Sequence, residues 1–275
     1  MFIVPRIALL SVFAASMLWN SVGFSADQKK LVLTGSSTVA PLMAEIAKKF
    51  EKDNPAMRVD VQSGGSSRGI SDARSGVADI GLVSRALKDD EKDLTAHTIA
   101  LDGVCMILNK ANGVASLTDA QIIDIYTGKI TNWKAVGGKD AVITVVNKAE
   151  GRSTLELFLH YFKLKATDVK AQVIIGDNQQ GIKTVAGNPN SIGYVSIGSA
   201  EYEAKEGTPI KLLSVGGVEA STANVINGTF PISRPLNLVT KGAPGPVAKL
   251  LIDYAKSKKV DEVIKEQYFV IPLNR

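Results

Sequence analysis

Short runs of β-branched and aliphatic residues alternate along this chain with stretches whose apolar positions fall three and four apart. Leu31-Val32-Leu33-Thr34 reads as a first strand, residues 59–61 as a second and 78–83 as a third. Between the first two, Leu42, Ile46, Ala47 and Phe50 share one helical face. Lys48, Lys49, Glu51 and Lys52 point outward, and Asn54-Pro55 ends the helix. Gly64-Gly65-Ser66-Ser67-Arg68-Gly69 leads into a second helix that reaches Arg74, and the third strand ends in Ser84-Arg85. Residues 98–108 read as two strands around Asp102-Gly103. Residues 118–126 read as a helix capped by Thr118, with Asp119 and Gln121 in its first turn. A strand through 143–146 then feeds a helix that opens on Gly151-Arg152-Ser153-Thr154. A helix over 181–186, strands over 192–195 and 211–215, and an extended stretch over 231–240 follow. Helices over 247–256 and 260–267 close the chain. The alternation predicts an α/β fold, and 275 residues suit two lobes or one large unit. There is no internal repeat, low-complexity tract or interdomain linker.

Residues 1–26 have a different character. Arg6 precedes an almost wholly apolar stretch over 7–19, and the small residues Ser25 and Ala26 follow. That stretch is short for a bilayer span, so it reads as a cleaved secretory signal, cut after Ser25 or Ala26. Cys105 is the only cysteine, which excludes an internal disulfide, a cysteine metal cluster and a lipid anchor at the cleavage region. It sits in Val104-Cys105-Met106-Ile107-Leu108 and is expected to be a buried, inert thiol. The expected location is therefore periplasmic, free of the membrane. Losing the signal takes away Arg6 and no acid, lowering the net charge of +5 by one. The remaining excess is dispersed and aromatics are only 6%, so no nucleic-acid surface is expected.

Three strand-to-helix corners carry hydroxyls beside glycine: 35–38, 64–67 and 151–154. Ser84-Arg85 adds a fourth strand end without a glycine. A helix start leaves N–H groups unpaired and carries partial positive charge, and serine and threonine add compact neutral donors. In open α/β sheets such corners gather at the carboxyl ends of strands, where ligands bind. Each corner alone is also what an ordinary helix cap looks like, and the recurrence favours a shared tetrahedral-oxyanion site. Arg152 is the strongest single candidate, against pairing with Glu156 one turn on. Arg68 competes with Asp72 in the same way, and Arg85 is an open case. Trp133 and Tyr126 read as core. Catalytic parts are missing: the histidines are His97 and His160 only, there is no GxSxG elbow, and no acids stand at metal-ligand spacing. No catalytic residue, metal or cofactor is expected.

The stretch Leu117-Thr118-Asp119-Ala120-Gln121-Ile122-Ile123-Asp124-Ile125-Tyr126-Thr127-Gly128-Lys129-Ile130-Thr131-Asn132-Trp133 resembles a signature of the phosphate-binding periplasmic proteins of phosphate ABC transporters. Thr34-Gly35-Ser36-Ser37-Thr38, Gly64-Gly65-Ser66-Ser67, Asn188-Pro189 with Ile192-Gly193-Tyr194-Val195, residues 231–235 leading into Leu236, and 268–272 support it. The resemblance covers essentially the whole chain after the signal. It implies a two-lobed type II periplasmic-binding-protein clamshell with two hinge strands, near 106–109 and 236–239. Residues 27–107 plus 237–275 would form one lobe and 108–236 the other. It implies a phosphate site made by Ser37, Thr38, the Val39 N–H, Ser66, Ser67, Ser84 and Arg85 of the first lobe with Arg152, Ser153 and Thr154 of the second. It further implies a monomer that delivers phosphate to a membrane permease without chemistry. Two departures stand out. Many members carry an Asp, which accepts a phosphate proton, where this chain has Ser84. Many carry Arg followed by Gly-Ser-Gly-Thr where it has Lys148 and Gly151-Arg152-Ser153-Thr154. Glu150 is a candidate replacement acceptor or a partner for Arg152 or Lys148. Sulfate, tungstate and molybdate therefore remain alternative ligands, with a serine-based phosphate-ester hydrolase or a non-transport sensor as remoter readings.

Overall fold

A computed structural model describes residues 29–273. The signal-peptide reading falls on residues outside that range. Strand β1 (Lys29–Gly35) pairs in parallel with β2 (Met57–Ser63) on one side and β3 (Ile80–Val83) on the other. Helices α1 (Val39–Asp53) and α2 (Ser66–Ser75) make the crossovers. The face of α1 expected from periodicity is the buried one: Leu42, Ile46, Ala47 and Phe50 are inside, joined by Val39, Ala40 and Met43. Gly35 has φ +139, and a Cβ there would stand 2.2 Å from the Leu82 carbonyl oxygen. That close approach lets β1 turn sharply at its end, where the Ser36 N–H donates to the same carbonyl at 2.8 Å.

Two long strands tie the molecule together. β4 (Leu94–Asn109) and β9 (Ser233–Lys241) run antiparallel from Leu94↔Lys241 to Gly103↔Ser233, with an irregularity between Thr98 and Ala100. β9 also pairs with β3. Past Gly103, β4 leaves β9 and continues between β7 (Ser191–Ser196) and β8 (Ile210–Leu213). β5 (Thr144–Lys148) and β6 (Val173–Ile175) extend the sheet in parallel beyond β7. Asp102-Gly103 is therefore not a break between two strands. One strand of 16 residues passes through it and changes partners there.

Two separate cores match this division. One joins β1, α1 and β3 to Leu236 and Leu238 of β9 and to α8 (Pro246–Ala255) and α9 (Asp261–Glu266). The other gathers Val104–Leu108 with α3 (Asp119–Tyr126), Trp133, α4 (Ser153–Phe162), α5 (Asn178–Gly187), α6 (Ile197–Lys205) and α7 (Thr222–Ile226). Residues 106–109 lie inside this second core. Phe158 stacks on Tyr194 at 4.1 Å and meets Tyr126 at 4.6 Å, so Tyr126 and Trp133 are core residues as expected. Cys105 is fully buried, and burial pushes its thiol well above the ordinary range. The cap of α3 forms as read, with Thr118 Oγ1 accepting from the Gln121 N–H and Gln121 returning to the Thr118 N–H. His97 lies on β4, half-buried, with Nε2 3.3 Å from Thr240 Oγ1.

Candidate functional site

The β1–α1, β2–α2 and β3 corners of the first lobe face the β5–α4 and β6–α5 corners of the second. What joins them is Arg234, near the start of β9. Its guanidinium is completely buried against Asp102 of β4, with Nε and Nη2 donating to Oδ2 at 3.0 and 2.7 Å. Nη2 also donates to Thr38 Oγ1 at 3.1 Å, and Nη1 donates to Thr154 Oγ1 at 3.0 Å and Ser84 Oγ at 3.4 Å. Hydroxyls from both lobes thus converge on one group. Ser66 belongs to the same cluster, because its Oγ accepts the Ser84 N–H at 3.2 Å. Ser36 Oγ accepts the N–H groups of Thr38 and Val39 at 3.1 and 3.3 Å and donates to Ser84 Oγ at 2.9 Å. The first two amides of this helix start are held by Ser36.

Two more cations sit beside this cluster. Lys148, at the end of β5, is 2% exposed, and Asn178 Oδ1 at 2.9 Å accepts from its ammonium. Asn178 Nδ2 then crosses to Thr38 Oγ1 at 3.0 Å. Burial, with the nearby Arg234 and Arg152 charges adding to it against Asp177, brings the Lys148 pKa down to about 7. Arg152 precedes the first turn of α4. Its Nε and Nη1 and the hydroxyl of Ser153 are buried and have no hydrogen-bond partner among the described residues. A buried donor without an acceptor costs about 1–3 kcal/mol, and more when charged. Among the described residues no carboxylate is a hydrogen-bond or ion-pair partner of Lys148 or Arg152, so an anion from solvent is the natural complement.

The lobes touch where Arg152 lies. The Ser67 N–H donates to the Gly151 carbonyl at 3.2 Å. Gly65, at φ +96, would place a Cβ 2.6 Å from Arg152 Nη1 and 2.7 Å from the Gly151 oxygen, so glycine is what lets the two corners meet. A second bridge lies further along: Arg85 Nε and Lys88 Nζ approach Glu156 Oε2 of α4 at 3.1 and 2.7 Å. The Arg85 contact is an ion pair without hydrogen-bond alignment. Glu91 grips the outer nitrogens of Arg85 at 2.7 and 2.8 Å, and those bonds hold the Glu91 carboxyl below its ordinary range.

Of the residues expected at the site, Thr38, Ser66, Ser84 and Thr154 are brought together, with Ser153 and Arg152 beside them. Val39 contributes an N–H already taken by Ser36. Ser37 is half-buried and lines a surface cleft of about 320 Å³ with Pro41, Ser63 and Gln179. The Ser67 side chain is exposed, and only its backbone spans the lobes. Arg85 is committed to Glu91 and Glu156, so its charge serves the bridge between lobes. Arg68 pairs with Asp72 and Gln62. Glu156 is occupied by Arg85 and Lys88, which removes it as a partner of Arg152. Glu150 is exposed. Sequence reading missed Arg234, Asp102 and Asn178. The available signal was a lone charge inside each of two long apolar strands, Asp102 in ALDGVCMIL and Arg234 in PISRPLNLV, since such charges survive burial only in pairs.

The chain matches the PBP superfamily domain over residues 21–259. Phosphate-binding protein PstS of Bacillus subtilis is 32% identical over 262 residues, covering 92% of this chain and 85% of that one. A solved structure described as a phosphate ABC transporter substrate-binding protein with bound phosphate, from Clostridium perfringens, superposes with a TM-score of 0.82 at 35% identity. It covers 89% of this chain and 100% of its own. An ABC-type phosphate transport receptor from Vibrio cholerae gives 0.72 at 32%, with coverage of 88% and 100%.

Proposed function

Because the chain belongs to the PBP superfamily and, within it, to the PstS family of phosphate-binding proteins, we propose that it captures inorganic phosphate between its lobes and delivers it to an ABC transporter permease. The observation that carries this reading is a pair of cations, the buried Lys148 and the half-buried Arg152 with its Nε and Nη1 inside, that lack a carboxylate partner among the described residues and lie beside hydroxyls from both lobes. Ser66 and Ser84 come from one lobe and Ser153 and Thr154 from the other, so the anion holds the lobes together. The lobe boundary lies where β4 changes partners, between Gly103 and Val104, and where β9 begins at Ser233. The lobes swing there, and a bound anion shifts the open–closed equilibrium.

The work is binding alone, with no bond made or broken. One chain supplies every group of the site, so a monomer suffices. The exported compartment follows from the signal-like residues 1–26. No helix among the described residues is long and apolar enough to cross a membrane. Calorimetric titration with inorganic phosphate tests the reading, and absence of binding at millimolar phosphate would refute it. Arg152→Ala is expected to weaken affinity at least tenfold, about 1.4 kcal/mol. Unchanged affinity would take Arg152 out of the site.

A further inference from the structure

Three cations crowd the cleft, and among the described residues one carboxylate is bonded to them. Asp102 holds Arg234 at 2.7 Å, whereas the ammonium of Lys148 donates to the neutral amide oxygen of Asn178 at 2.9 Å. Arg152 keeps its buried Nε and Nη1 without an acceptor. Without an anion, Lys148, Arg152 and Arg234 are balanced by Asp102 alone, in a place that water screens poorly. Neither arginine can relieve that excess, because a guanidinium keeps its proton in proteins. A buried ammonium can give its proton up.

The groups around Lys148 pull on that proton in both directions. Arg234 of β9 and Arg152 at the corner before α4 oppose it, and Asp177 at the corner before α5 favours it. Asp177 is itself engaged in capping α5 through the Gln180 N–H. Tyr194 of β7 accepts the Lys148 backbone N–H at 3.3 Å, and burial keeps its phenol neutral by raising its pKa. Asn178, the acceptor of the ammonium, also reaches Thr38 and Ser199, so no further charge comes from α1 or α6 through it. Burial and the two like charges outweigh Asp177, which is why the pKa of Lys148 falls to about 7.

We infer that Lys148 is a proton switch: in mildly alkaline solution it stands mostly as the neutral amine until phosphate enters, then takes a proton from solvent, so that the receptor carries a proton together with its anion. The inference rests on the phosphate reading of the same site. The step makes one N–H bond at Nζ, and the buffer supplies the proton. Hydrogen phosphate brings two negative charges, which balance the cluster fully only when Lys148 is charged. An opposite charge at about 4–6 Å moves a pKa by about 1–3 in favour of the charged form. From a starting value of about 7, Lys148 at pH 8 is about one-tenth protonated without the anion and about half or more with it. The complex thus holds a proton that the free protein lacks, and affinity falls as pH rises through this range.

The test is calorimetric titration of the wild-type protein with sodium phosphate at pH 8 in HEPES and in Tris, whose protonation heats differ. The change in observed heat between buffers counts the protons taken up. Lys148→Arg, whose charge is permanent, is titrated alongside, so that protons exchanged by phosphate itself cancel in the difference. Wild type is expected to take up about 0.4 proton or more beyond Lys148→Arg. Equal uptake by the two proteins overturns the switch and leaves the phosphate reading standing. Absence of binding by wild type at millimolar phosphate refutes the phosphate reading, and the switch with it. A second measurement needs no variant: in protein labelled with ¹³C at the lysine ε carbons, one resonance is expected to titrate near pH 7 without phosphate, apart from the ordinary lysines at about 10.4. Saturating phosphate is expected to raise that midpoint by about one pH unit or more. An unmoved midpoint, or no lysine titrating near pH 7 in the anion-free protein, overturns the switch.

Discussion

Asp102→Asn isolates the charge on which the buried cluster depends. The carboxylate and the Arg234 guanidinium have side chains 1% and 0% exposed and meet at 2.7 Å, so neither is solvated by water. At an effective dielectric constant of 20, opposite charges about 4 Å apart attract by about 4 kcal/mol. Breaking a buried pair on one side costs about 3–5 kcal/mol, because the surviving charge stays uncompensated. The variant also leaves Lys148 and Arg152 beside a third unbalanced cation. Urea unfolding followed by circular dichroism in anion-free buffer is expected to show a loss of about 3–5 kcal/mol, a large share of the 5–15 kcal/mol typical of folded domains. The double replacement Asp102→Leu with Arg234→Met removes both charges and is expected to unfold closer to wild type than Asp102→Asn does, although its anion site is destroyed. A loss below about 1 kcal/mol for Asp102→Asn, in the range of exposed pairs, would refute the account of this pair as a dry one.

Gly65→Ala is expected to prevent the two corners from meeting, since its Cβ would stand 2.7 Å from the Gly151 carbonyl. Anion affinity measured by calorimetry falls at least tenfold with little change in the far-ultraviolet spectrum, and an unchanged affinity would show that the corners do not need to touch. Glu156→Gln removes the acceptor shared by Arg85 and Lys88. It is expected to favour the open form, seen as a larger radius of gyration in anion-free small-angle scattering, and an identical radius would count against the bridge. Lys148 supplies a pH dependence. Its folded pKa is brought down to about 7, below the ordinary 10.5, so above pH 7 the unfolded chain holds a proton that the fold rejects. Anion-free stability contributed by this group is expected to rise between pH 7 and 10.5, by at most about 1.4 kcal/mol per pH unit. Parallel stability curves for wild type and Lys148→Met over pH 7–9 would disprove it.

Local chemistry made much of this molecule legible. Helix α1 follows its apolar spacing and α3 its cap, and the hydroxyls of Thr38, Ser66, Ser84 and Thr154 do share a cluster. What escaped depends on contacts between distant residues. Asp102-Gly103 has the composition of a turn, yet a partner 132 positions away holds the strand straight through it. Arg85 and Arg152 look alike in sequence, each beside a serine at a strand-to-helix corner. Glu91 and Glu156 engage the first and leave the second without a carboxylate partner among the described residues, and that difference appears only once the chain is folded. Helix α7, five residues long, has too few turns to leave a periodic trace.

The passage of β4 and β9 through both halves gives the cluster a fixed point and a moving jaw. A rigid rotation displaces atoms in proportion to their distance from its axis, and Asp102 and Arg234 sit where the two strands part company. The two bonds between them are thus retained through the swing, while the Ser67–Gly151 seam is remade on each cycle. Deuterium uptake on the anion-free protein is expected to be slow at Gly103 and fast at Ser67, and equal rates would mean that the jaw never parts.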